Sequence, residues 1–297
     1  MKGFYASIDI GTNTAKLLIA EVRGEVLHPV FQRSEAPRVG RNLAATGLIS
    51  DESFQALSHA LMGFTADIRD HGAFLTGAVA TQAFRVAANG PELLAKASDL
   101  IGCEARIIAG PEESRLGWLA VANRHPLPGL AVLDIGGGST EATRKGGGFS
   151  TPIGAVMLLE ACGPDAAACR ARASEAFIGD FSEWRGQTQL AAVGGTATAL
   201  AMLELGLTAY DSDAIEGLAV ARRRVSAQID RLAGMDKESL LKLPGMDKGR
   251  ADILMPGLCI LEAFLDKIGA AEFRVSDRGI RYGITIDWLR KRAARPA

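Results

Sequence analysis

Residues 131–141, AVLDIGGGSTE, form an apolar run that ends in an acid and breaks at once into Gly136, Gly137 and Gly138, followed by Ser139, Thr140 and Glu141. The same construction stands near the N-terminus in ASIDIGTNT, where Asp9 precedes Gly11, Thr12, Asn13 and Thr14. Glycine at a strand end lets the backbone take conformations and approaches that a Cβ would block. Two copies of so particular a turn imply a chain built as two similar halves. Its 297 residues fit two domains of about 150 residues each. The stretch NRHPLPGL, residues 123–130, mixes proline and glycine between a helical pattern and the next apolar strand. It sets expected domains at 1–124 and 125–297, with the last helix, about 281–295, expected to pack back on the first.

Strand and helix patterns alternate along the chain, which gives the α/β class. Apolar and small residues up to Asp9, a turn, then KLLIAEV read as a hairpin. Phe54, Leu57, Leu61, Phe64 and Ile68 predict a helix over 50–71. NGPELLAKASDLIG carries Pro91 for a first turn and Gly102 for a C-terminal cap. In the second half GGTATALAMLEL predicts a helix beginning at Thr196, Val225, Ile229 and Leu232 mark another, and a longer one is expected from about Asp247 to Lys267 with a kink at Pro256.

A net charge of -1 with 23% charged residues provides no polycation for nucleic acid, so any polyanion must be held locally. No uncharged run approaches the ~18 residues of a membrane span. The opening MKGFYASIDIGTNT places an acid where a secretory signal needs apolar residues. The expectation is a cytoplasmic protein with no membrane partner. Cys103, Cys162, Cys169 and Cys259 lack CxxC spacing, and His28, His59, His71 and His125 lack the pairing of zinc sites. A metal would be hard and oxygen-bound.

Three turns place glycine beside hydroxyls: Gly11 to Thr14, Gly136 to Thr140, and Gly194 to Thr196 with Gly195 between. Exposed amides in such turns form a concave anion site suited to phosphate. Taken singly, each also reads as an ordinary tight turn. Neither GxxxxGK[ST] nor GxGxxG is completed here. The first turn leads into a second strand, so the geometry expected is a hairpin clasp. Asp9 and Asp134 end apolar strands, where open α/β sheets present ligands. An isolated carboxylate buried there calls for a cation or hydrogen-bond donors, and magnesium suits a few carboxylates plus water and phosphate oxygens.

DIGTNT, DIGGGSTE and GGTATAL, in that order, resemble the phosphate and adenosine-type loops of the actin, heat-shock ATPase and sugar kinase superfamily. IIAGPEESRLGW and VSDRGIRYG are similar to signatures of the exopolyphosphatase and guanosine pentaphosphate phosphatase family. The resemblance implies two actin-like (ribonuclease H-like) domains with a central cleft, the two Asp-Ile-Gly bends meeting one anion. It implies hydrolysis of a terminal phosphoanhydride in inorganic polyphosphate or guanosine pentaphosphate, with Mg2+ as cofactor. Glu112 and Glu113 by themselves read as acids complementing a helix dipole. The resemblance makes Glu113 the acid that activates water, Asp134 and Glu141 the metal-linked acids, and Arg85 a phosphate-binding arginine; Asp9 and Arg281 are further candidates. Lys16 and Met157 stand where many relatives carry arginine, and the chain matches a short form without a helical C-terminal region.

Two rivals stay open on the residues: a small-molecule kinase of the same superfamily, and a non-catalytic nucleotide or alarmone sensor. Substrate preference, chain length, potassium dependence and a monomer or homodimer are equally open.

Overall fold

The computed structural model describes residues 3–24, 26–186, 189–246 and 248–294. The chain divides into two compact units, Met1–Pro126 with Arg278–Ala297, and Leu127–Asp277.

In the first unit, β1 (Phe4–Ile10), β2 (Ala15–Arg23) and β3 (Val26–Glu35) form an antiparallel meander. The helices α1 (Leu43–Thr46) and α2 (Asp51–Asp70) follow, and then come β4 (Phe74–Ala80), α3 (Gln82–Val86), α4 (Gly90–Ile101), β5 (Ala105–Ile107) and α5 (Gly110–Arg124). Among the described residues the sheet has order β3-β2-β1-β4-β5, with β4 parallel to β1 and β5 parallel to β4. Alternation along FYASIDI sends Ala6, Ile8 and Ile10 into a core shared with Leu57, Leu61 and Phe64 of α2 and Leu93 and Leu94 of α4. The other face is covered by α5 and the chain's last helix, Ile280–Ala293, through Leu116, Leu119, Ile280, Tyr282 and Ile284. Those two helices approach closely: a Cβ on Gly283 would lie 2.1 Å from the Leu116 carbonyl oxygen.

The second unit repeats the plan. β6 (Leu130–Ile135), β7 (Thr140–Arg144) and β8 (Gly147–Thr151) form the meander, followed by α6 (Ala155–Cys162), α7 (Ala166–Ala176), β9 (Gln189–Val193) and α8 (Gly194–Leu205). Then come α9 (Ser212–Ile215), β10 (Ala219–Ala221), α10 (Arg222–Ala233), α11 (Lys237–Leu241), α12 (Leu254–Ile268) and β11 (Glu272–Val275). The order β10-β11-β9-β6-β7-β8 reproduces the first sheet, with β10 added at one edge. The duplication seen in the two Asp-Ile-Gly segments therefore extends to the whole sheet. Apolar residues of α7, α8, α10 and α12 enclose its core with Phe177, Phe181 and Trp184.

Three local expectations change. α12 begins at Leu254, and Asp247 lies outside the described residues, as does Arg295 at the end of the expected last helix. Pro256 sits in the first turn of α12, where its missing N–H costs no helical bond, so no kink is called for. α8 starts at Gly194, ahead of Thr196. β3, missed in the sequence, contains Pro29 next to a register shift opposite Ile19 and Ala20, the irregularity that lets a strand carry proline.

Candidate active site

Each unit carries its own Asp-Ile-Gly hairpin. In the first, Gly11 N donates to Thr14 O at 2.9 Å and closes the turn between β1 and β2. The carbonyls of Thr12 and Asn13 accept from the backbone amides of Gly40 and Arg38, at 2.8 and 3.0 Å. A trans peptide holds its N–H opposite its C=O, so these tethers turn the following amides, of Asn13 and Thr14, the other way. Gly40 is required by the approach, since a Cβ there would sit 2.1 Å from Thr12 Cγ2.

The second hairpin is tied in the same manner. Gly136 N donates to Ser139 O at 2.9 Å, and the carbonyls of Gly136 and Gly137 accept from Ala155 N and Val156 N of α6, each at 2.9 Å. The amides of Gly137 and Gly138 are thereby aimed away from α6. A Cβ on Gly154 would lie 2.3 Å from the Gly137 carbonyl carbon, so this tether also needs glycine. The Thr140 hydroxyl donates to Ile153 O at 2.6 Å in a fully buried position, which makes Thr140 a brace of the turn.

The acids differ between the halves. Asp9 has Lys16 as its cross-strand partner, whereas Asp134 in the equivalent place faces Glu141. Directly opposed residues share a sheet face with Cβ atoms roughly 5 Å apart, and like charges there repel. Glu141 is 3% exposed and its Oε1 accepts a 2.6 Å bond from the Ser150 hydroxyl. The third glycine turn reaches the same pair: Gly194, at φ 89°, leaves its Cβ position 2.8 Å from Asp134 Oδ1. Beside it, Thr196 is buried and Arg250 Nη1 donates to Gly195 O.

Two carboxylates on one face, with bare backbone over one of them, fit a divalent cation that takes its remaining oxygens from water and phosphate. Among the described residues no group of three or more His, Cys, Asp or Glu is placed to hold a metal ion.

In the first unit, α3 connects the hairpin to the predicted catalytic acid. Its Gln82 Oε1 accepts from Thr12 Oγ1 at 3.3 Å, and its Arg85 Nη1 donates to Ile108 O and to Glu113 Oε2, both at 2.7 Å. Glu113 is 7% exposed, in the first turn of α5 behind Pro111. The N-terminal end of the α5 dipole and the guanidinium both place positive charge beside it. Glu112 instead faces outward to Arg106 at 3.0 Å. Arg281 is apart from this group: it is buried on the last helix, its guanidinium donates to Gln32 of β3, and its carbonyl accepts from the Ser7 hydroxyl at 2.6 Å.

Sequence reasoning missed the tethers at Arg38, Gly40 and Gly154, the Ser150 bond, and Arg250. Each acts on a turn away from it in sequence, and only isolated glycines in RVGRN and PIGAV marked two of them. The run Arg222 to Arg224 joins ion pairs, Arg222 with Asp266 and Arg224 with Glu204.

No helix among the described residues is long and apolar enough to cross a membrane. The chain matches the profile of the Ppx/GppA phosphatase family over residues 18–292. It is 30% identical to exopolyphosphatase 2 of Mycobacterium tuberculosis, over 95% of this chain and 97% of that protein. With guanosine-5'-triphosphate,3'-diphosphate pyrophosphatase of Photobacterium profundum it shares 29% identity over 97% of this chain and 59% of that longer one. The solved Aquifex aeolicus PPX-GPPA enzyme superposes with a TM-score of 0.79 at 26% identity, covering 97% of this chain and 100% of that one. With the family profile spanning nearly its whole length and the twin glycine hairpins in place, this chain belongs to the Ppx/GppA phosphatase family.

Proposed function

We propose that the protein is a cytoplasmic, magnesium-dependent hydrolase that releases orthophosphate from the end of inorganic polyphosphate, of guanosine pentaphosphate, or of both. The observation that carries this reading is the buried Glu113 carboxylate held by Arg85 at 2.7 Å, an oriented acid beside a cation that suits phosphate oxygens. The names of the M. tuberculosis and P. profundum relatives supply the two substrate classes.

In the proposed reaction Glu113 accepts a proton as a water oxygen forms its bond to the terminal phosphorus. The bridging P–O bond breaks, and its electron pair stays on the shortened chain. Arg85 keeps Glu113 in place and offers its remaining N–H groups to the departing phosphoryl. In each unit taken by itself the hairpin amides, those of Asn13 and Thr14 in the first and of Gly137 and Gly138 in the second, are donors suited to phosphate oxygens and stabilise charge without moving. Asp134 and Glu141 would hold magnesium, which supplies charge neutralisation on those oxygens when bound.

The test is phosphate release in magnesium, with no added acceptor, from short polyphosphate, long polyphosphate, guanosine pentaphosphate and ATP. Steady release from at least one of the first three, faster than from ATP, is expected. Saturable binding without release, or release only when an acceptor is supplied, overturns the reading.

A further inference from the structure

Tyr210 is 47% exposed, yet its hydroxyl donates to Asp277 Oδ2 at 3.0 Å, and Asp277 is buried. The same oxygen accepts from the Ser212 hydroxyl at 2.7 Å. Glu216, just past α9, accepts from the Ser276 hydroxyl and from the Asp277 amide, each at 2.9 Å. Two carboxylates thus pin the segment 210–216 to the end of β11, and an aromatic ring is held partly in water. With its tip tied to a buried acid, the ring presents its face in a fixed orientation, so little freedom remains to be lost when something packs on it.

β11 runs parallel to β9, with Val275 paired to Ala192 and Ser276 N donating to Ala192 O at 3.0 Å. Asp277 therefore comes level with Gly194, at the end of the sheet where open α/β folds present ligands. On the other side of β9, Asp134 pairs with Val193. Neighbouring strands lie about 4.8 Å apart, so Tyr210 is anchored about 10 Å along the end of the sheet from Asp134. A ribose and a short phosphate chain span that separation. The charge near Tyr210 is unsuited to phosphate itself: from Gly206 to Ala221 the chain carries Asp211, Asp213 and Glu216 and no lysine or arginine. A flat, neutral heterocycle with N–H donors on its edge fits an aromatic face among acids, and every nucleobase has a face that stacks. We infer that the base of a nucleotide substrate stacks on Tyr210, so that the protein reads the nucleoside of guanosine pentaphosphate as well as its phosphates. This rests on the phosphoanhydride reading above and deepens it. The base is remote from the reacting phosphorus, so the contact is equal in bound substrate and transition state and acts on KM.

The experiment compares the parent, Tyr210→Ala and Tyr210→Phe in magnesium on guanosine pentaphosphate and on tripolyphosphate, which has no base. For Tyr210→Ala the KM for guanosine pentaphosphate should rise about 5- to 100-fold, as for loss of one stacked base, with kcat within about threefold. Its KM for tripolyphosphate should stay within about twofold of the parent's. Tyr210→Phe, which keeps the ring and loses the bond to Asp277, should fall between on the nucleotide. An alanine variant with the parental KM for guanosine pentaphosphate overturns the inference. So does an equal rise on both substrates, which a merely structural role would give. Should the alanine variant fail to fold, Tyr210→Leu, which keeps apolar bulk without an aromatic face, carries the same comparison. A parent that hydrolyses tripolyphosphate and neither binds nor hydrolyses guanosine pentaphosphate overturns this inference and leaves the proposed function standing. A parent that hydrolyses neither compound strikes the proposed function, and calorimetric titration of parent and alanine variant with both then decides this inference by itself. Weaker binding of the nucleotide alone supports it, and equal binding overturns it.

Discussion

Arg85 Nη1 lies 2.7 Å from Glu113 Oε2 and makes a second contact, also 2.7 Å, with the carbonyl of Ile108. The arginine is thus a clamp for the acid as well as a candidate for phosphate. Glu113→Gln preserves shape and an acceptor oxygen but removes the base. It should fold and bind tripolyphosphate while kcat drops about 10²- to 10⁴-fold. Arg85→Ala should lower thermal stability too, because it takes from the buried Glu113 carboxylate its half-buried cationic partner. Turnover at the parental rate by a folded Glu113→Gln protein would remove Glu113 from the mechanism.

The two halves use one hairpin with different charges. Lys16 faces Asp9, and Glu141 faces Asp134. The first hairpin carries its own counter-charge, whereas the second accumulates negative charge that the magnesium of the proposed reaction would relieve. Glu141→Gln and Asp134→Asn should each raise the magnesium concentration for half-maximal phosphate release by at least about tenfold, the effect of losing one charged ligand. A magnesium titration of folded variants that superposes on the parent's would separate these acids from the metal.

What the sequence made legible was local. Asp9, Gly11, Asp134, Gly136 and Gly194 could be read because a strand end, an acid or a hydroxyl, and a glycine lie close together in the chain. Gly40, Gly154 and Gly257 could not, because each is glycine on account of a contact with a turn that is not its neighbour in sequence. Pro256 was misread for a related reason: proline is compatible with a first turn and disruptive in an interior, and sequence alone did not fix where α12 begins. Residue types pointed to phosphate; the carbonyl tethers from Gly40, Arg38 and α6, which aim the amides, are tertiary.

Gly154 tests that aiming. Gly154→Ala would drive a Cβ to 2.3 Å from the Gly137 carbonyl carbon. Overpacking against backbone costs about 1–3 kcal/mol, and the displaced loop should lower phosphate release out of proportion to the loss of stability. Gly147→Ala is the control, since an added Cβ there meets nothing within 4 Å. Its stability should stay within about 0.5 kcal/mol of the parent. Equal behaviour of the two variants in thermal melts and assays would show that the α6 tether is dispensable.

The last helix is held to α5 by charge as well as by packing. Burial alone would raise the Asp287 carboxyl, but hydrogen bonds from Arg115 and Lys291, backed by their charges, outweigh it and bring it below the ordinary aspartate value. Arg115 Nη1 lies 2.7 Å and Lys291 Nζ 2.8 Å from its two oxygens. Since the folded protein binds this proton less readily than the unfolded chain, the contribution is complete above the unfolded aspartate pKa of about 3.9. It falls away as pH drops through the lowered folded value. Both cations are substantially exposed, so screening limits the contribution to about 1 kcal/mol or less. Asp287→Asn should therefore melt about 1–3 °C below the parent at pH 7, and the gap should close in the acid range below the unfolded pKa. A gap that persists undiminished at the acid end would assign the effect of Asp287 to packing, with its ionisation playing no part.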